Sequence, residues 1–165
     1  MLKTFLCALI LLPSISSAAR AEEAGLTLSL AMEVMNEAFH VCSARGYRVA
    51  VTIVDPDGVI KLEARGDGSP IHSQRFSFRK AYTVMSMGPM VGAESSGGVA
   101  KFINSANPAG TATVGAGATD LLFIPGAVLL RSGGQAVGAI GVSGAPLSAD
   151  DEVCAEAAAA KIRNP

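Results

Sequence analysis

From Thr27 to Arg45 the apolar residues return every three or four positions. Ala31, Val34, Met35, Ala38 and Cys42 share one stripe at about 100° per residue, while Glu33, Asn36, Glu37 and His40 take the other side. The pattern predicts a helix with Thr27 as N-cap, Leu26 before it and Gly46 as a left-handed stop. Cys42 then faces the core and His40 does not. The run Arg48-Val49-Ala50-Val51-Thr52-Ile53-Val54 is almost continuously apolar or β-branched, as a strand buried on both faces requires. Pro56-Asp57-Gly58 is turn chemistry, and Val59 to Arg65 alternates as a half-exposed partner strand should.

A second helix is expected from Ser69-Pro70, a cap followed by a first-turn proline, to about Met87, with Gly88-Pro89 as its end. Ile71, Phe78, Ala81, Tyr82 and Met85 share its apolar side. Gly92 to Gly117 is rich in Gly, Ala, Ser and Asn, with a short helix at Val99–Asn104; a connection this long in a small domain is functional or mobile. Short strands follow at Leu121–Ile124, Ala127–Arg131 and Ala136–Ser143, the last two joined by a Gly133-Gly134 turn. Ser148-Ala149-Asp150-Asp151 reads as a capping box opening a last helix through Lys161. Helix, hairpin, helix, meander, helix is an α+β arrangement on an antiparallel sheet.

The first residues stand apart from this pattern. Lys3, an apolar run from Thr4 to Leu12 and Ala19-Arg20-Ala21 form the three parts of a secretory signal peptide over residues 1–21. That apolar run is short of the roughly 20 residues a bilayer span needs, so no membrane span is expected after cleavage. Residues 22–165 then make one domain of ordinary size, periplasmic or secreted. Loss of Lys3 and Arg20 leaves the basic residues outnumbered by the 14 acidic ones. No basic run with interleaved aromatics occurs, which argues against nucleic acid as a partner. With no Trp and few aromatics, the core must come from Ala, Val, Ile, Leu and Met.

Cys7 leaves with the leader, so Cys42 and Cys154 remain. In an oxidising compartment they can pair, closing a loop of about 112 residues and contributing up to roughly 4 kcal/mol. The alternative is two small buried hydrophobes.

Gly138, Gly141 and Gly144 step regularly by three and pose a choice: a backbone cradle for phosphate, or a strand that something packs closely against. A dinucleotide fingerprint needs G-x-G-x-x-G between a strand and a helix, and GAIGVSG lacks the G-x-G. There is no G-x-x-x-x-G-K-[ST], no HExxH and no CxxC, and a serine elbow fails because Ala145 follows Gly144. The close-contact reading is preferred, and no catalytic constellation is recognisable.

The blocks GAIGVSGAPLSADDEVCAEA and VAVTIVDPDGVIKLEARGDGSP, with the Lys80-Ala81 pair in FRKAYTV, resemble the GlcG/HbpS family of haem-binding or haem-degrading HbpS-like proteins. They are also similar to the C-terminal part of PduO-type adenosyltransferases. The resemblance runs from about Leu26 to Lys161. It implies a profilin-like α-β-α domain with a five-stranded antiparallel sheet, a homo-oligomer, and haem as the ligand of some members.

Under that implication, His40 and His72 are the side chains able to serve as strong axial ligands, methionine being weaker. Each is otherwise an ordinary solvated histidine. His40, opposite the core stripe, suits a ring held between subunits. His72 sits in the first turn of the second helix, whose positive end disfavours protonation and keeps the imidazole neutral. Arg75 and Arg79 are near enough to hold propionates, because Arg pairs bidentately with carboxylates. Asp57 and Asp67, in Pro-Asp-Gly and Gly-Asp-Gly, suit local turn bonds better than catalysis, and Asp55 and Asp120 are read the same way. Asp150 and Asp151 should stabilise the last helix by roughly 0.5–1 kcal/mol each. The expected function is an exported haem- or tetrapyrrole-binding protein without an evident catalytic centre. The alternatives are a non-catalytic small-molecule sensor or accessory subunit and, with no supporting residue, an enzyme acting on haem or a glycolate-type acid.

Overall fold

The computed structural model describes residues 25–108 and 116–163. The expected leader, residues 1–21, and part of the Gly92–Gly117 segment lie outside the described residues. The elements are α1 (Leu28–Ala44), β1 (Ala50–Val54), β2 (Ile60–Arg65), α2 (Ser73–Val91), α3 (Ser96–Ala106), β3 (Ala127–Ser132), β4 (Gln135–Ser143) and α4 (Ser148–Arg163). The sheet order is β2-β1-β4-β3, antiparallel throughout, which is an α+β fold.

Helix α1 forms where its pattern predicts. Thr27 Oγ1 accepts the Leu30 N–H at 3.2 Å, and the chain leaves the helix at Arg45-Gly46. Its buried residues are Ala31, Val34, Met35, Ala38 and Cys42. The helix lies with α4 on one face of the sheet, where Val51, Ile53, Val128, Leu130, Ile140 and Val142 join the α4 residues Cys154, Ala155, Ala158 and Ile162 in one apolar core. Cys42 and Cys154 form a disulfide across α1 and α4, with Cα atoms 5.6 Å apart. Of the two readings open for these residues, pairing holds.

β1 is central, hydrogen-bonded on both sides and buried along its whole length, as its unbroken β-branched run requires. The turn into β2 is held by Asp55, whose Oδ1 accepts the N–H groups of Asp57 and Val59, both at 3.0 Å.

The sheet has four strands among the described residues, not five. Leu121–Ile124 is not a strand. Its backbone is satisfied by α2 side chains instead: Leu122 N–H donates to Thr83 Oγ1 at 2.8 Å, and Arg79 donates to the Leu121 carbonyl. At the free edge of β3, Ser95 forms an isolated antiparallel bridge with Val128, and Leu129 N–H donates to Glu94 O at 2.9 Å.

α2, on the opposite face from α1 and α4, departs furthest from expectation. Ile71 and His72 form a turn, and the helix begins at Ser73, whose N–H and hydroxyl both reach the Pro70 carbonyl. It runs through Gly88-Pro89 and stops at Val91, before left-handed Gly92 (φ 67°). Pro89 is exposed on the last turn, where the loss of one ladder bond does not end the helix. The buried stripe is Ser73, Ser77, Lys80, Ala81, Val84 and Gly88, with Thr83 also buried. Of the expected apolar side only Ala81 is fully buried; Ile71 is 89% exposed, and Phe78, Tyr82 and Met85 are half-buried. The cause is the closeness of β4. A Cβ on Gly141 would lie 2.1 Å from the Ser77 carbonyl oxygen and 2.9 Å from the Ala81 nitrogen, so mostly small side chains, with Lys80 and Val84, face the sheet, while Phe78 and Met85 pack at its margin and Ile71 turns outward.

Candidate functional site

The glycine step along β4 and just past its end is a packing device. Backbone carbonyl oxygens occupy the space where each side chain would stand: Val54 O against Gly138, Ser77 O against Gly141 and Arg48 O against Gly144. Carbonyl oxygens carry partial negative charge, the opposite of what an anion cradle offers.

Outside α2, the expected ligand residues separate. His72 is exposed immediately before the helix, makes no side-chain cap bond, and stands edge-on to Phe76 with ring centroids 5.0 Å apart. Arg75, one turn on, is exposed and lines an open groove of about 310 Å³ with Ile60, Glu63, Ile71, Gln74 and Phe78. Glu63 is fixed there by hydrogen bonds from Thr52 Oγ1 at 3.0 Å and Gln74 Nε2 at 2.9 Å. Arg79 is engaged elsewhere: it lies 5.9 Å from the Phe76 ring centroid and donates to Leu121 O, while its buried Nε has no partner. His40 is exposed on α1, across the sheet from His72. Two helices sandwiching a sheet stand roughly 20 Å apart, so one chain cannot bring both imidazoles to one iron. Among the described residues no group of three or more His, Cys, Asp or Glu is placed to hold a metal ion.

The sequence reading missed the buried polar centre. Lys80 and Asp151, 1% and 2% exposed, form an ion pair at 2.7 Å. Lys80 Nζ also donates to Val142 O at 3.1 Å, and Asp151 Oδ1 accepts the Ala145 N–H at 2.9 Å. Burial pulls the Lys80 ammonium below its ordinary pKa and pushes the Asp151 carboxyl above its own, against their mutual attraction. Asp151 is therefore not simply a capping-box residue; it faces inward. Asp150 instead pairs with Arg45 at 2.7 Å on the surface. Next to Asp151, Glu152 Oε2 accepts the N–H groups of Gly97 at 3.0 Å and Gly126 at 2.9 Å, which ties α4 to the start of α3 and of β3. This centre joins α2, α3, β4 and α4, and its ion pair is sealed from any ligand. The available signal was Lys80 falling on the Ser73–Ser77–Val84–Gly88 side of its helix.

The model of the family described as haem degrading protein HbpS-like matches residues 26–160. The chain belongs to the HbpS-like family. Its fold agrees with the crystal structure of HbpS at 30% sequence identity and a TM-score of 0.71, covering 84% of this chain and 90% of that one. A double mutant of Streptomyces reticuli HbpS aligns at 26% identity and a TM-score of 0.72, over 96% of this chain and 99% of that one. A complex of PduOC with heme shares the fold at 20% identity and a TM-score of 0.72, over 84% and 95% of the two chains. No curated protein sequence matches. The HbpS-like fold thus explains the blocks around β1–β2, Lys80-Ala81 and β4–α4, which are the segments that meet at the glycine contacts and the buried ion pair.

Proposed function

We propose that this HbpS-like chain binds haem or a related tetrapyrrole on the outer surface of the N-terminal half of α2. The observation that carries the reading is the outward turn of that helix. Ile71 and Ile60 are exposed and Phe78 half-buried beside the cation of Arg75, with the His72 imidazole next along the chain. An apolar shelf with a cation at its rim and an imidazole within a turn suits a flat ring bearing carboxylates. His72 would supply the axial nitrogen, and Arg75 would meet a propionate. Arg79 instead positions the 121–122 segment. The family membership, and the heme carried by the structural relative PduOC, support haem as ligand. The Cys42–Cys154 disulfide supports an exported, oxidising location, and a second copy of the chain would cover the exposed side of the ring. The reading is of binding, with no catalytic step assigned.

Titrating the purified protein with hemin should produce a shifted Soret band. His72→Ala should abolish or displace that band and Arg75→Ala weaken binding, while His40→Ala leaves both unchanged. A band indifferent to His72→Ala would refute the ligand assignment. Hemin that fails to bind, while a small carboxylic acid raises Tm, would favour the sensor reading.

A further inference from the structure

The other end of α2 presents a second, unrelated chemistry. Met85, Met87 and Met90 fall within six residues. Met85 packs against the apolar cluster of the α2 face. Met87 and Met90 do not belong to that cluster; they line a separate cavity of about 530 Å³ with Tyr82, Ser86, Asp120 and Leu121. A three-residue step on a helix places two side chains about 60° apart and one turn along, so both thioethers face the same space. Met90 is 82% exposed, too exposed for core packing to account for it. The ring of Tyr82 is held in place by a tilted contact with Phe78, with centroids 5.7 Å apart, and by its approach to Gly58. Cys42 and Cys154 are consumed in their disulfide beneath the opposite face of the sheet, so among the described residues thioethers are the sulfur donors left on this side.

We infer that Met87 and Met90 form a binding site for a soft monovalent cation, Cu⁺ or Ag⁺. Thioether sulfur selects such ions over hard divalent ones. Tyr82 and Asp120 line the same cavity and bring to it an aromatic ring and a carboxylate, both of which attract a cation. The site lies about 27 Å along the helix from His72 at 1.5 Å per residue and does not depend on haem binding.

The test uses Ag⁺, which needs no reductant, added as silver nitrate in chloride-free buffer and followed by calorimetry and by the methionine methyl resonances. One ion per chain should bind saturably, moving the Met87 and Met90 methyls but not those of Met32 and Met35. Met87→Leu and Met90→Leu, which keep volume and apolarity, should each lower the affinity about tenfold or more as one soft donor is lost. Met32→Leu on α1 and His72→Ala should stay within about twofold of the parent, since neither removes a donor to this site. The inference is overturned by non-saturable Ag⁺ binding, by affinity unchanged in both Met87→Leu and Met90→Leu, by loss of binding in His72→Ala, or by equally tight binding of Zn²⁺.

Discussion

The two faces of the sheet are packed by different means. Beneath α1 and α4 the contacts are apolar and the helices are joined by Cys42–Cys154; there each large buried side chain contributes about 1.5–3 kcal/mol through area removed from water. Beneath α2 the buried residues are mostly small or polar. Thr52 and Ser77 hydroxyls meet at 2.8 Å, Gly141 admits the Ser77 carbonyl, and Lys80 is neutralised by Asp151. The first face gains its stability from volume and the second from closeness and charge pairing. A helix that approaches a sheet this nearly has little room on its inner side beyond Lys80 and Val84, so Phe78, Tyr82 and Met85 are left at the margin and Ile71 outside. The surface chemistry of α2, from the His72–Arg75 shelf to the Met87–Met90 cavity, is a consequence of that approach.

The largest test of the contrast is Asp151→Ala. It leaves the Lys80 ammonium buried without its partner and should destabilise by about 3–5 kcal/mol in urea unfolding. Combining Lys80→Met with Asp151→Leu should cost less than Asp151→Ala alone, because no buried charge remains unpaired. A cost for Asp151→Ala no larger than that of an ordinary surface substitution would remove charge pairing from the account of this face. On the other face, replacing both Cys42 and Cys154 by Ala should lower stability by about 2–4 kcal/mol, and reductant should lower the parent's Tm but not the variant's. Gly141→Ala probes closeness itself: the added methyl meets backbone and should cost about 1–3 kcal/mol, with the circular dichroism of the folded protein retained. Ile71→Ala completes the series. At an 89% exposed position it should shift monomer stability by about 0.5 kcal/mol or less while weakening hemin binding. A large loss of stability instead would mean that the outward row is core after all.

The apolar face was legible because its signal is local. The stripe Ala31–Val34–Met35–Ala38–Cys42 records burial on a single helix, and the β1 run records burial on both sides of a single strand. The same rule misled on α2, where Phe78, Tyr82 and Met85 form a good apolar stripe that lies only half-buried at the margin of the sheet contact. Leu121–Ile124 was misread for a related reason. An apolar run can lie on a helix and bond its backbone to Thr83 and Arg79 instead of to a strand. Of the candidate site, His72 and Arg75 were legible as residue types beside a helix start. That Arg79 donates to the Leu121 carbonyl, and that His40 faces the other way, required the packed chain.

What the sequence determined alone is the set of elements whose burial repeats along their own length, the Asp55 and glycine turns, the family blocks, and the class of fold. What the tertiary structure decided is which side of α2 is inside, that Lys80 has a partner 71 residues away, and that the β4 glycines receive carbonyl oxygens. Periodicity reports the environment of one element. The distance between two elements depends on residues far apart in the chain, and no local pattern encodes it.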